Sequence, residues 1–142
     1  MKEQVLLEYF EDKVSVETLA DDLRDSQRKT GFDTTSVYIN PLGKEGSFIV
    51  TKTHLIQLCK EVIQGKLSFE NLNTIAFAVI TSEYFIYDEN DEIVDRVLFE
   101  WDNPEIGFPF NIDNIKKWKD LLELGVDSFN PRELKQKKKN RK

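Results

Sequence analysis

Apolar residues in this chain recur chiefly three and four positions apart, the spacing that gathers them on one face of a helix. Val5, Leu6, Tyr9 and Phe10 predict a first short helix over residues 2–11. Ser15 stands where an N-cap belongs, Glu17 follows near the positive helix end, and Leu19, Ala20 and Leu23 form an inward stripe. That second helix is expected to run to about Arg28, with Arg28 and Lys29 in its last turn and Gly31 as its stop. Thr51 or Thr53 caps a third helix through about Gln64, its apolar face made by Leu55, Ile56, Leu58, Cys59, Val62 and Ile63, and Gly65 ends it. Ser68 caps a fourth, with Leu72, Ile75, Ala76, Val79 and Ile80 inward. Phe77 and Ala78 widen that stripe until the segment is apolar nearly all round, which marks it as the central helix. Asn111 or Asp113 caps a last helix, with Ile115, Trp118, Leu121 and Leu122 inward, Lys116, Lys117 and Lys119 outward, and Gly125 as its end.

The period changes between Phe32 and Val50. Ser36–Ile39 and Ser47–Val50 are short β-prone runs, and the seven residues between them include Asn40, Pro41, Gly43 and Gly46, all turn formers. They read as a hairpin that must lie on the helices or extend a partner's sheet, because two strands alone are marginal in water. The expected fold class is mainly α, a bundle of about six helices with a small β-hairpin near residues 36–50. Residues 12–19 and 65–72 also echo each other, with Lys, Ser, Glu and Leu shared at four of eight positions; a duplicated helical hairpin and two similar capping solutions account for this equally well.

The densest charge falls between Tyr84 and Ile106. Ile93, Val94, Val97, Leu98 and Trp101 make one helical face there, so the stretch reads as an amphipathic helix that packs inward and shows carboxylates outward. From Tyr84 to Glu105 eight acids meet one base, Arg96. Like charges three and four apart on a helix cost roughly 0.2–0.5 kcal/mol per pair. The run is therefore expected to tolerate a repulsion that a cationic partner would remove. Trp101 belongs to the core stripe, and Asn103-Pro104 is a helix stop.

Charge is distributed unevenly over the 142 residues. The total is −6, but from Arg132 onward seven bases meet one acid, a net of +6, which leaves −12 on the rest. One globular domain over residues 1–130 and a disordered basic tail over 131–142 are expected. No apolar run is long enough for a membrane span, and the first twenty residues carry acids where a secretion signal would be basic and then apolar. One cysteine cannot form an internal disulfide, so a cytoplasmic location is expected.

Candidate chemistry is sparse. His54 and Cys59 are the only residues of their kinds, and on one helix they point about 140° apart, which disfavours a thiol–imidazole pair. Read as a calcium loop from Asp88, the chain puts Ile93 where glycine is needed and Phe99 where a bidentate glutamate is needed. Phosphate-binding glycine loops, nucleophile elbows and zinc-ligand spacings are absent from the sequence. No catalytic residue, cofactor or metal is assigned, and the chain is expected not to be an enzyme. The Lys135–Lys142 tail could touch nucleic acid weakly through phosphates, but it has no interleaved aromatics and the body is acidic.

The run from Leu55 to Trp118 joins a helix ending in Gly-Lys-Leu-Ser-Phe-Glu-Asn-Leu, then Thr81-Ser82-Glu83-Tyr84-Phe85, then Asp-Glu-Ile-Val-Asp-Arg-Val-Leu-Phe-Glu-Trp and Asn-Pro-Glu-Ile. It resembles small immunity proteins of bacterial polymorphic-toxin and contact-dependent growth inhibition systems. The resemblance implies a cytoplasmic, non-enzymatic inhibitor that binds a cognate toxin domain, frequently a basic nuclease. On that reading Asp88, Glu89, Asp91, Glu92 and Asp95 are the charge contacts, and Tyr84, Tyr87, Asp102 and Glu105 are rim or anchor groups. The alternative is a nucleic-acid-associated adaptor acting through the basic tail.

Overall fold

The computed structural model describes residues 1–24, 26–29 and 35–133. Six α-helices dominate them: α1 (Glu3–Phe10), α2 (Val16–Leu23), α3 (Lys52–Ile63), α4 (Phe69–Thr81), α5 (Glu92–Asp102) and α6 (Ile112–Leu124). Four short strands, β1 (Gln27–Lys29), β2 (Thr35–Val37), β3 (Phe48–Ile49) and β4 (Phe85–Ile86), and a 3-10 turn at Pro131–Glu133 complete the described elements. The chain is thus mainly α with a small β component, and β2 and β3 fall at the β-prone runs near residues 36–50. The remainder of the basic tail, residues 134–142, lies outside the described residues, as does Gly31.

Helices begin where side chains satisfy the free N–H groups of a first turn. Ser15, Ser68, Asp91 and Asn111 each accept from the backbone N–H three residues on, at 3.2, 3.0, 3.2 and 2.8 Å. Each cap of this kind contributes about 1 kcal/mol. The echo between residues 12–19 and 65–72 has a structural counterpart. Asp12 (φ 61°) and Gly65 (φ 79°) both take the left-handed conformation that turns one helix into the next, three residues before a capping serine.

At the start of α3 the Thr51 backbone N–H donates to His54 Nδ1 at 2.9 Å, a bond that requires a neutral imidazole. Burial beside Phe10 and Phe48 holds the His54 pKa below its ordinary value, and Asp12 opposes this more weakly. The resulting stabilisation is complete above about pH 6.5 and is lost as pH falls through the lower folded-state value. The Met1 amino group, also depressed by burial, acts with the same sign. Urea midpoints are expected to drop from about pH 7.5 to about pH 5.5, with a shallower drop in His54→Asn. Identical slopes in the two proteins would refute the assignment.

Two expectations are corrected. Helix α2 stops at Leu23 instead of near Arg28, because residues 24–29 offer no apolar side chain to bury. The backbone leaves the helix at Arg24 (ψ 132°), and Gln27–Lys29 pairs antiparallel with Thr35–Val37. Gln27 is then anchored to α4 by hydrogen bonds to Asn73 Oδ1 (2.6 Å) and Thr74 Oγ1 (2.9 Å). The second correction concerns pairing. The 36–39 and 47–50 runs do not pair with each other; β2 takes β1, and β3 takes β4 in a parallel register, Phe48 with Phe85 and Ile49 with Ile86. A parallel pair needs a long crossover, here supplied by α3 and α4.

Helix α4 is the hub, packing against α2, α3, α5 and β4, while α3 lies along α6. Leu72, Ile75 and Ala76 are fully buried. Trp101 of α5 and Trp118 of α6 meet edge to face at 6.2 Å and 87°. The chain between α5 and α6, punctuated by Pro104 and Pro109, folds back onto this pair, with Phe110 at 5.8 Å from Trp118, and Phe129 closes it from beyond α6 at 5.2 Å. No helix among the described residues is long and apolar enough to cross a membrane.

Candidate functional site

The acidic stretch is not one helix. Phe85 and Ile86 form β4 because Phe85 fills the core beside Phe10 and Phe48 (1 % exposed). Asp88 then makes a turn, its Oδ1 accepting from Asn90 N and its carbonyl from Asp91 N, both at 2.9 Å. Only at Glu92 does α5 begin. Asp88, Asp91, Glu92 and Asp95 therefore do not share a helical face at i, i+3, i+4 and i+7.

This geometry also changes the energetic reading. Asp91 caps the helix and lies 3.7 Å from Lys52 Nζ; Glu92 and Asp95 occupy the first turn, where the helix dipole favours anions by roughly 0.3–1 kcal/mol each. The run is locally stabilised, not merely tolerated. The one base in it, Arg96, is bound to Glu100 Oε2 (3.1 Å) and bidentately to Asp127 (2.8 and 3.3 Å). That double engagement holds the Asp127 carboxyl below the usual range, chiefly through the hydrogen bond from Arg96. Arg96 and Glu100 thereby neutralise one flank of α5 and leave the other anionic.

The proposed contact residues fall into three places. Tyr87, Asp88, Glu89, Asp91, Glu92 and Asp95 gather around the N-terminus of α5, where Tyr87 Oη donates to Asp95 Oδ1 at 3.2 Å. Burial, then Asp95 and Glu89, push the Tyr87 phenol pKa up, so it remains a donor. Asp102 and Glu105 sit together at the far end, about 15 Å along the helix axis. Partial burial, and secondarily Glu105, raise the Asp102 carboxyl above its ordinary value. Tyr84 joins neither group. It packs under the 43–46 loop, with Lys44 Nζ 5.5 Å above its ring and its Cε2 3.4 Å from where a Cβ on Gly46 would lie.

Of the seven large apolar residues exposed among the described residues, none of them a sequence candidate, three lie on α5 or the β3–β4 pair. Phe99 (56 % exposed) lies five residues beyond Val94, which turns it about 140° from the buried stripe onto the face shared with Glu92. Ile49 and Ile86, 56 % and 42 % exposed, are direct cross-strand partners on the outer face of β3 and β4. The sequence carries both signals. Phe99 falls off the Val94, Val97, Leu98, Trp101 stripe, and Ile49 and Ile86 alternate with the inward-facing Phe48, Val50 and Phe85.

Cys59 is fully buried and its thiol pKa is pushed up to about 12 by burial, so it offers no thiolate nucleophile. No group of three or more His, Cys, Asp or Glu among the described residues is placed to hold a metal ion. Trp101, assigned to the core stripe, is fully buried there. No protein-family model, curated protein or solved structure matches the chain.

Proposed function

We propose that this chain is a non-enzymatic protein-binding inhibitor, an immunity protein that neutralises a cognate bacterial toxin domain of basic surface, by class a nuclease, in the cytoplasm. The observation that supports this best is Phe99: a large aromatic 56 % exposed on α5, with exposed Glu92 and Asp95 on the turns before it and Asp102 on the turn after. Single exposed apolar residues are ordinary, but an aromatic set among carboxylates supplies both components of a specific interface. The charges steer encounter with a positive surface, and the ring gives the buried contact that carries most of the affinity. A nuclease must present positive charge to hold a phosphate backbone. The anionic flank of α5 is complementary to such a cleft, and the resemblance of residues 55–118 to small immunity proteins points the same way.

Titration calorimetry of the chain against the C-terminal toxin domain encoded by an adjacent reading frame tests this. Affinity is expected to weaken as salt rises from about 0.05 M to about 0.5 M, because exposed charges are screened over this range. Binding that is absent, or insensitive to both salt and α5 substitutions, would dismiss the proposal.

A further inference from the structure

A second feature lies away from α5, where the turn joining α1 to α2 leans against α3. Between them is a cleft of about 460 Å³, lined among others by Tyr9, Phe10, Asp12, His54, Gln57 and Glu61. Glu61 lines it with only 7 % of its surface exposed. Tyr9 Oη (2.7 Å) and Gln57 Nε2 (3.3 Å) both donate to Glu61 Oε2, and Oε1 accepts no hydrogen bond from the described residues. No Lys or Arg among the described residues forms an ion pair with Glu61. A buried carboxylate is costly unless it is paired, so Glu61, where it borders the cleft, favours a cationic donor there.

The surroundings specify what kind of donor. His54 cannot serve as a cation beside Glu61 without giving up the bond from Thr51 N–H to its Nδ1. Phe10 and His54 meet at a tilt, centroids 4.9 Å apart and planes at 47°, to make an aromatic wall, and Val14 and Val16 add aliphatic surface. Asp12 adds a second carboxylate at the rim that makes no ion pair among the described residues, its neighbour Lys13 being bound to Glu11 at 3.1 Å. Anionic depth, an aromatic wall and an apolar lining suit an organic cation, whose head meets carboxylate and ring together. Glu61 and Asp12 are not part of any group of three or more His, Cys, Asp or Glu placed to hold a metal ion among the described residues.

We infer that this cleft is a receptor for a guanidinium or primary ammonium group on an aliphatic stem, with Glu61 Oε1 taking the head group and Phe10 and the valines taking the stem. The inference stands independently of toxin binding, since none of its residues belongs to the α5 face. The same chemistry could arrive as a free amine or as an Arg or Lys side chain of another protein.

Amide NMR titrations of the full chain with agmatine, spermidine and Nα-acetyl-arginine methylamide test it and separate the two sources. Saturable shifts confined to residues around Tyr9, Asp12 and 53–61 are expected. Preference for acetyl-arginine methylamide would mark a protein side chain, and preference for spermidine a free polyamine. Glu61→Gln, which can keep the bond from Tyr9, is expected to weaken binding at least tenfold, whereas Asp113→Asn on the exposed start of α6 leaves it unchanged. Asp12→Gly relieves the left-handed backbone at φ 61° and is expected to raise the melting temperature while weakening binding severalfold, a combination that a purely structural role for Asp12 would not produce. No saturable shift with any probe, or equal affinity in wild type, Glu61→Gln and Asp12→Gly, would overturn the assignment.

Discussion

Replacing Trp118 with alanine is expected to cost about 3–5 kcal/mol of folding stability, a large share of the roughly 5–15 kcal/mol available to a domain of this size. Trp118 is fully buried and touches Trp101, Phe110 and Phe129, so the aromatic core from three segments converges on one ring. Its Nε1 donates to Glu100 Oε1 at 2.8 Å, which places it behind the Glu100–Arg96–Asp127 chain that ties the segment after α6 to α5. Trp101 is equally buried, but its Nε1 has no hydrogen-bond partner among the described residues. The phenylalanine variants separate packing from polar satisfaction. Trp118→Phe leaves a carboxylate oxygen without its donor, whereas Trp101→Phe removes an unsatisfied N–H. Trp118→Phe is therefore expected to be the more destabilising by about 1–3 kcal/mol. Urea unfolding followed by far-ultraviolet circular dichroism reads the difference, and equal losses would mean that the Glu100 bond contributes nothing.

Helices were legible wherever a capping side chain and an apolar stripe agreed. Ser68 and Leu72 to Val79 defined α4, and Asn111 with Ile115, Trp118 and Leu121 defined α6, because both signals are local. The small strands were only half legible. Phe48–Ile49 has β-prone residues, yet its partner Phe85–Ile86 is two residues long and sits at the start of an acidic run, so nothing local names the pairing. Gln27–Lys29 was hidden for a different reason: it has no apolar residue, and its place is set by Gln27 reaching Asn73 and Thr74 some 46 and 47 residues away.

The acidic stretch shows where counting charge without backbone misleads. Asp88 and Asp91 looked like members of a repulsive helical face, but one closes a turn and the other caps a helix, roles for which aspartate is favoured regardless of any partner. What distinguishes the candidate surface from a solvated one is apolar. Phe99 and the Ile49–Ile86 pair are exposed where the local period would have allowed polar residues. Phe99 is visible off the buried stripe of the helical wheel, but a wheel position alone does not separate an anchor from an ordinary exposed ring.

Phe99→Ala is accordingly expected to weaken binding to a cognate toxin domain by at least about 2 kcal/mol, roughly thirtyfold, the effect of removing a central aromatic anchor. The melting temperature should hardly move, because the ring is 56 % exposed and leaves no cavity. Glu92→Gln with Asp95→Asn removes two charges but keeps the polar character of the α5 N-terminus. The two sets of variants should divide the kinetics: loss of the ring raises the dissociation rate, while loss of the charges lowers the association rate and flattens its salt dependence. Asp91 is left untouched in these variants, since its side chain caps α5 and lies near Lys52, and its loss would confound folding with binding. Surface plasmon resonance at two ionic strengths resolves both rates. If Phe99→Ala binds as tightly as wild type, the ring is not the anchor and the proposed interface on α5 is wrong; if only the charge variants matter, the face steers a partner that is held elsewhere.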